Sequence, residues 1–115
     1  MRQQVIDSWS NLSNQDRATT WLLPADDSIP HWIKGKHTQV AVRVTNHPLC
    51  IALCNAFNGF IVSTSANPAG LSPARSIQDV NQYFASEINY LNGDLGLSQE
   101  PSKIIDASTG EVIRA

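Results

Sequence analysis

Charge is sparse in this 115-residue chain: 16% of its residues are Asp, Glu, Lys or Arg, against 42% hydrophobic. That balance excludes a disordered or supercharged chain and predicts a folded, globular one. Eight Lys and Arg against ten Asp and Glu leave a net charge of −2. The basic residues are scattered, so electrostatics alone does not point to nucleic acid. Cysteine is nearly absent: Cys50 and Cys54 stand four apart in an apolar run that reads as helix, where a mutual disulfide is disfavoured. Nothing requires an oxidising compartment, and the cytoplasm is the expected location. No apolar run is long enough to span a bilayer, and the opening residues lack an apolar stretch followed by small cleavage residues. A soluble, unprocessed protein with no membrane partner is expected. Repeats, low-complexity tracts and linkers are also missing, and the length suits one domain, residues 1–115. Four catalytic signatures are absent: GxSxG, a phosphate loop ending in Lys-Ser or Lys-Thr, HExxH and paired CxxC.

What is present reads as a mixed α/β chain. Residues 1–18 are polar and define no element. Thr19-Thr20-Trp21-Leu22-Leu23 has the β-branched and aromatic content of a strand, with Pro24 as its stop. Residues 26–38 read as a turn-rich surface loop. Residues 40–45 alternate, with Val40, Val42 and Val44 on one face and Ala41, Arg43 and Thr45 on the other. Asn46 is placed to cap a buried helix opening at Pro48, and Gly59 to end it. Residues 60–63 read as a short, fully buried strand, and residues 63–70 as a small-residue loop leaving it. Ser76 with Asp79 predicts a capped helix bearing Ile77, Val80 and Phe84 on one side. Residues 102–106 and 111–114 read as a closing hairpin.

Chemistry concentrates in few places. The 63–70 loop puts hydroxyls, an amide and a glycine at a strand end, where open α/β sheets bind ligands and where hydroxyls and backbone N–H groups can hold anionic oxygens. These are also ordinary turn formers. Arg43, between valines, could grip a carboxylate with its bidentate fork, or simply face solvent. His47, Cys50 and Cys54 share one helical face without an evident fourth ligand, so no metal site is expected and the cysteines read as small core residues. The Asp26-Asp27 pair reads as a solvated turn. Trp9, Trp21 and Trp32 read as plugs of the core edge, because no basic residues interleave with them as a nucleic-acid platform requires.

Together, Ala41-Val42-Arg43-Val44, His47-Pro48-Leu49, Ser63-Thr64-Ser65-Ala66-Asn67 with Gly70, Pro101-Ser102-Lys103-Ile104-Ile105-Asp106 and Val112-Ile113-Arg114, in this order, resemble the YrdC family. The resemblance runs from about residue 19 to the end and leaves residues 1–18 poorly matched. It implies a mixed twisted sheet with flanking helices, YrdC/RibB-like and incomplete at the amino end. The implied enzyme joins L-threonine, bicarbonate and ATP into threonylcarbamoyl-adenylate and diphosphate, with Mg²⁺, for threonylcarbamoyladenosine modification of tRNA. By resemblance Arg43, Ser63 and Ser102 hold threonine. Gln39, Ser65, Asn67, Pro73 and Arg114 contact ATP, and no residue acts as a covalent catalyst. The family's Pro-Thr-Glu and Lys-x-Arg motifs have no counterpart here, and Asp16-Arg17-Ala18-Thr19-Thr20 replaces its Trp-Pro-Gly-Pro-Val-Thr stretch. Weak ATP binding and little or no turnover by the chain alone are therefore expected. Two other readings remain at this point: an RNA-binding module, and a domain that associates with a tRNA-modification partner or another subunit supplying missing strands.

Overall fold

The computed structural model describes residues 2–11, 17–95 and 100–115. Four strands form one mixed sheet in the order β2-β1-β3-β4: β1 (Thr19–Pro24), β2 (Gln39–Val42), β3 (Lys103–Asp106) and β4 (Val112–Arg114). β1 is internal, antiparallel to β2 with Trp21 opposite Val42, and parallel to β3 with Trp21 opposite Ile105. β3 turns back into β4, and the register slips by one residue between Ile104 and Ile105. The expected α/β class and closing hairpin are therefore present. Asp106 makes the hairpin turn possible: its Oδ1 accepts from the N–H groups of Ser108 (2.8 Å) and Thr109 (3.2 Å), while Gly110 takes the positive φ of 78°.

Alternation along these strands gives the sheet two unlike faces. One carries Trp21, Leu23, Val40, Val42 and Ile105, and helix α1 (Arg2–Ser10) lies over part of it. Among the described residues Val5, Trp21 and Ala107 are buried, with Trp9, Leu23 and Ile105 packed around them. The polar opening segment thus contains an element that its composition conceals. The apolar residues of α1 that pack onto that core are Val5 and Trp9, four residues apart on one helical face, too sparse a stripe to read as a helix. Trp9 and Trp21 act as the expected plugs, whereas Trp32 is 76% exposed, on the short helix α2 (His31–Lys34) inside the expected loop.

The second half departs further from expectation. β2 stops at Val42, so residues 43–45 leave the sheet. Helix α3 (Pro48–Phe57) forms where expected, but its cap is His47, whose Nδ1 accepts from Leu49 N–H, and its end is Asn58 in the left-handed region (φ 60°) rather than Gly59. It is not buried: none of its residues is, and it makes no extended contact with any strand. Cys50 and Cys54 are free and half-buried. Residues 60–63 are not a strand; Phe60 is 90% and Val62 78% exposed. A strand needs a neighbour for its backbone groups, and no described residue hydrogen-bonds to this segment. Helix α4 (Ile77–Phe84) is capped as expected by Ser76 Oγ, which accepts from Asp79 N–H, while Asp79 reaches back to Arg75 N–H. The chain's radius of gyration, 15.3 Å, exceeds the about 13 Å of a compact domain of this size, consistent with elements not drawn onto one core.

Candidate functional site

The sheet face opposite α1 is where candidate residues gather. The register that points Trp21 and Leu23 to the core points Thr20 and Leu22 the other way, together with Gln39, Ala41, Ile104, Asp106 and Arg114. Among the described elements, α2 at the edge strand β2 is the one helix in extended contact with the four strands that carry these residues. Ala41 and Arg114 are exposed and Thr20, Gln39 and Asp106 half-buried, so the polar members of this row are within reach of a ligand.

Two hydrogen-bonded groups fix this row. Thr20 Oγ1 and Ser102 Oγ lie 2.6 Å apart, and Arg114 donates to the Ser102 carbonyl from Nε (2.9 Å) and Nη2 (2.7 Å). Ser102 and Arg114, expected at the threonine and ATP positions respectively, are thus direct neighbours. In the second group Gln39 Nε2 donates to Asp106 Oδ2 at 3.0 Å. This bond, with the Ser108 and Thr109 amides, holds the Asp106 carboxyl below its ordinary range; partial burial opposes it. Arg17 is a staple: its guanidinium donates to the carbonyls of Pro101 (2.6 Å) and Ala115 (2.9 Å) and lies 3.5 Å from Glu100. Arg43, just past β2, is exposed and makes no hydrogen bond or ion pair with any described residue. Its whole donor fork is available for a planar carboxylate.

The loop candidates form a separate group. Ala74 N–H donates to the Ala66 carbonyl at 2.8 Å and Leu71 N–H to that of Pro68 at 3.1 Å, folding residues 66–74 back on themselves. Gly70 supplies the positive φ, 85°, that this reversal needs. Pro73 lies beside the closing bond. Asn67 donates from Nδ2 to the Pro68 carbonyl, and its Oδ1 is buried without a partner. Such an acceptor suits a ligand N–H or O–H. Ser63 and Ser65 are exposed. Among the described residues no hydrogen bond joins this loop to the sheet. The loop follows the unpaired 60–63 segment, which gives it no fixed base.

The residue-by-residue reading overlooked Thr20 and Asp106. The signal for Asp106 was present in Asp106-Ala107-Ser108-Thr109-Gly110, a side-chain-stabilised turn pattern. Thr20 had none beyond its strand alternation. His47 is committed to structure: one ring nitrogen accepts from Leu49 N–H and the other lies 2.7 Å from the Asp94 carbonyl, leaving neither for a metal. No group of three or more His, Cys, Asp or Glu gathers among the described residues, so they do not form a protein cage for Mg²⁺.

The chain belongs to the Sua5/YciO/YrdC family: the family profile, described as telomere recombination, matches residues 3–115. It is 70% identical over 113 residues to the threonylcarbamoyl-AMP synthase of Acinetobacter baumannii strain AYE, covering 98% of this chain and 60% of that protein. The enzyme of the same name from Acinetobacter baylyi is 70% identical over 115 residues, again with 60% of its length covered. That of Cellvibrio japonicus is 43% identical over 114 residues, with 57% covered. The chain therefore spans about three-fifths of the length of the curated relatives it matches.

Proposed function

We propose that residues 1–115 form part of a threonylcarbamoyl-AMP synthase domain and carry a share of its substrate site. The observation that carries this reading is the hydrogen-bonded row on one sheet face, Gln39, Thr20, Ser102, Asp106 and Arg114, flanked by the unengaged Arg43. The 70% identity to proteins of that name supports it.

In the proposed reaction the threonine amine combines with bicarbonate, losing water, to give a carbamate. A carbamate oxygen attacks the α-phosphorus of ATP, and diphosphate leaves. Arg43 grips the threonine carboxylate, and Ser63 and Ser102 hydrogen-bond the amino acid. Thr20 fixes the Ser102 hydroxyl, which orients it before substrate arrives. Arg114, anchored through Nε and Nη2, turns its remaining donors to the nucleotide. Ser65, Asn67, Pro73 and Gln39 complete the ATP contacts, with Asn67 Oδ1 accepting from a base or ribose group. Rate enhancement rests on positioning and on stabilising charge at the attacked phosphate, without a covalent protein intermediate. Magnesium accompanies ATP and is held by its phosphates. The product serves tRNA modification in the cytoplasm. A net charge of −2 gives no support to a separate RNA-binding role.

The test is threonine and ATP binding followed by amide NMR, with diphosphate release measured alongside. Threonine is expected to shift amides around Gln39–Val42 and Ser102, and Arg43→Ala to weaken its binding at least about tenfold, as loss of a charged hydrogen-bond partner should. Diphosphate release by the chain alone is expected to be slow or absent. Threonine shifts that persist unchanged in Arg43→Ala, or no shifts in a folded chain, overturn the site.

A further inference from the structure

The polar row on the sheet has two ends of opposite character. Ser102 stands just before the first residue of β3 and Asp106 is its last, about 13 Å apart along the strand. At the Ser102 end the Arg114 guanidinium donates to the Ser102 carbonyl and reaches the Ser102 hydroxyl from Nη2 at 3.3 Å. At the other end are Asp106 and Gln39, neither of them bonded to a cation among the described residues. A guanidinium attracts phosphate oxygens and a carboxylate repels them. A nucleotide laid along this face therefore turns its phosphates toward Arg114 and its uncharged base toward Gln39. Asp106 also divides its two oxygens. Oδ1 accepts from the N–H groups of Ser108 and Thr109 in the hairpin turn, and Oδ2 accepts from Gln39 Nε2 at 3.0 Å. An ionised carboxylate only accepts, so the Gln39 carboxamide is held one way round, with Nε2 on Asp106 and Oε1 directed elsewhere. No described residue donates to that Oε1.

We infer that Asp106 is a positioning residue for base selection: by holding Gln39 with Oε1 free, it makes this end of the site accept adenine, which offers an amino N–H, and reject hypoxanthine or guanine, which offer a carbonyl there. A glutamine free to turn over presents either its donor or its acceptor and takes both kinds of base. The carboxylate removes that freedom, because Oε1 turned toward Oδ2 would set two acceptors against each other. The inference deepens the proposed function and rests on its assignment of Gln39 to the nucleotide. The turn makes it sharp. In Asp106→Asn the turn amides keep their oxygen, and the nitrogen that replaces Oδ2 is a donor. Gln39 then meets it with Oε1 and presents Nε2 to the base, which favours a carbonyl.

The experiment titrates ATP and inosine triphosphate, which differ only in the base, into the isotope-labelled 115-residue chain. Backbone amides and the Gln39 side-chain amide signals are followed by NMR. The chain is expected to bind ATP about fivefold more tightly than inosine triphosphate, the effect of one hydrogen bond made against one left unmade, and ATP to move the Gln39 side-chain signals. Asp106→Asn is expected to lose this preference or reverse it, and Gln39→Ala to bind the two nucleotides equally. A merely structural defect weakens both nucleotides alike and leaves their ratio in place. Circular dichroism of both variants confirms that each retains the fold. Equal affinity of the parent chain for the two nucleotides, an Asp106→Asn preference equal to the parent's, or ATP shifts that spare Gln39 overturn the inference and leave the proposed reaction standing. If neither nucleotide moves any amide of the folded chain, the nucleotide assignment itself fails and the inference falls with it.

Discussion

The sheet with α1 and the stretch from α3 to Gly70 have comparable apolar content but opposite fates. In the first, apolar residues from distant parts of the chain converge: Val5, Trp21 and Ala107 are buried together, and β1 is paired on both sides. In the second, a longer and less charged apolar run remains in solvent, because its helix touches no strand extensively and its extended segment has no hydrogen-bond partner among the described residues. Hydrophobic composition therefore does not make a core by itself. A core requires a second surface that excludes water from the first.

The sharpest contrast is between two aromatic residues. Trp21→Ala should remove about 3–5 kcal/mol, the range for a fully buried aromatic, and leave the chain largely unfolded. Phe60→Ala should change stability by less than about 0.5 kcal/mol, because it deletes exposed surface. Urea unfolding followed by circular dichroism measures both. Comparable losses would break the division between the regions. A middle-sized effect tests the two arginines of the sheet half. Arg17→Ala should cost about 1–3 kcal/mol through the carbonyls of Pro101 and Ala115 that it ties together. Arg43→Ala should cost almost nothing in stability, since its guanidinium holds no protein group, and should act on threonine binding instead.

The smallest effect is that of acid. Asp106 has a folded-state pKa below its unfolded value, so the folded state binds its proton less readily and stability from this group is complete above the ordinary aspartate range. That contribution declines as pH falls below about 4 and through the lower folded value. Asp106→Asn should flatten the acid limb of the stability profile and leave the neutral limb parallel to that of the parent chain. An unchanged acid limb would show that Gln39 and the turn amides do not favour the carboxylate.

Local pattern was legible in the strands β1, β3 and β4 and in the capped helices α3 and α4. Residues 19–23 carried strand propensity and β1 forms there, extended by Pro24; the closing hairpin and both capped helices also fall at their expected places. Residues 60–63 carried an equally clear pattern, but a buried strand is a statement about partners, which a local reading cannot supply. Helix α1 failed in the other direction, because two inward residues on a polar segment suffice when Trp21 lies beneath them. The family resemblance pointed to Ser102, Arg114 and Gln39, and the sheet register puts them on one face. The turn role of Asp106 was legible in its local sequence, but its bond to Gln39 and that of Thr20 to Ser102 join residues more than sixty positions apart.

Residue-resolved hydrogen exchange on the chain alone tests the central claim most directly. The account predicts slow exchange for the paired amides of β1 and β3, near the limit set by global unfolding, and essentially unprotected exchange for residues 60–63. Protection of residues 60–63 comparable to that of β1 would contradict it.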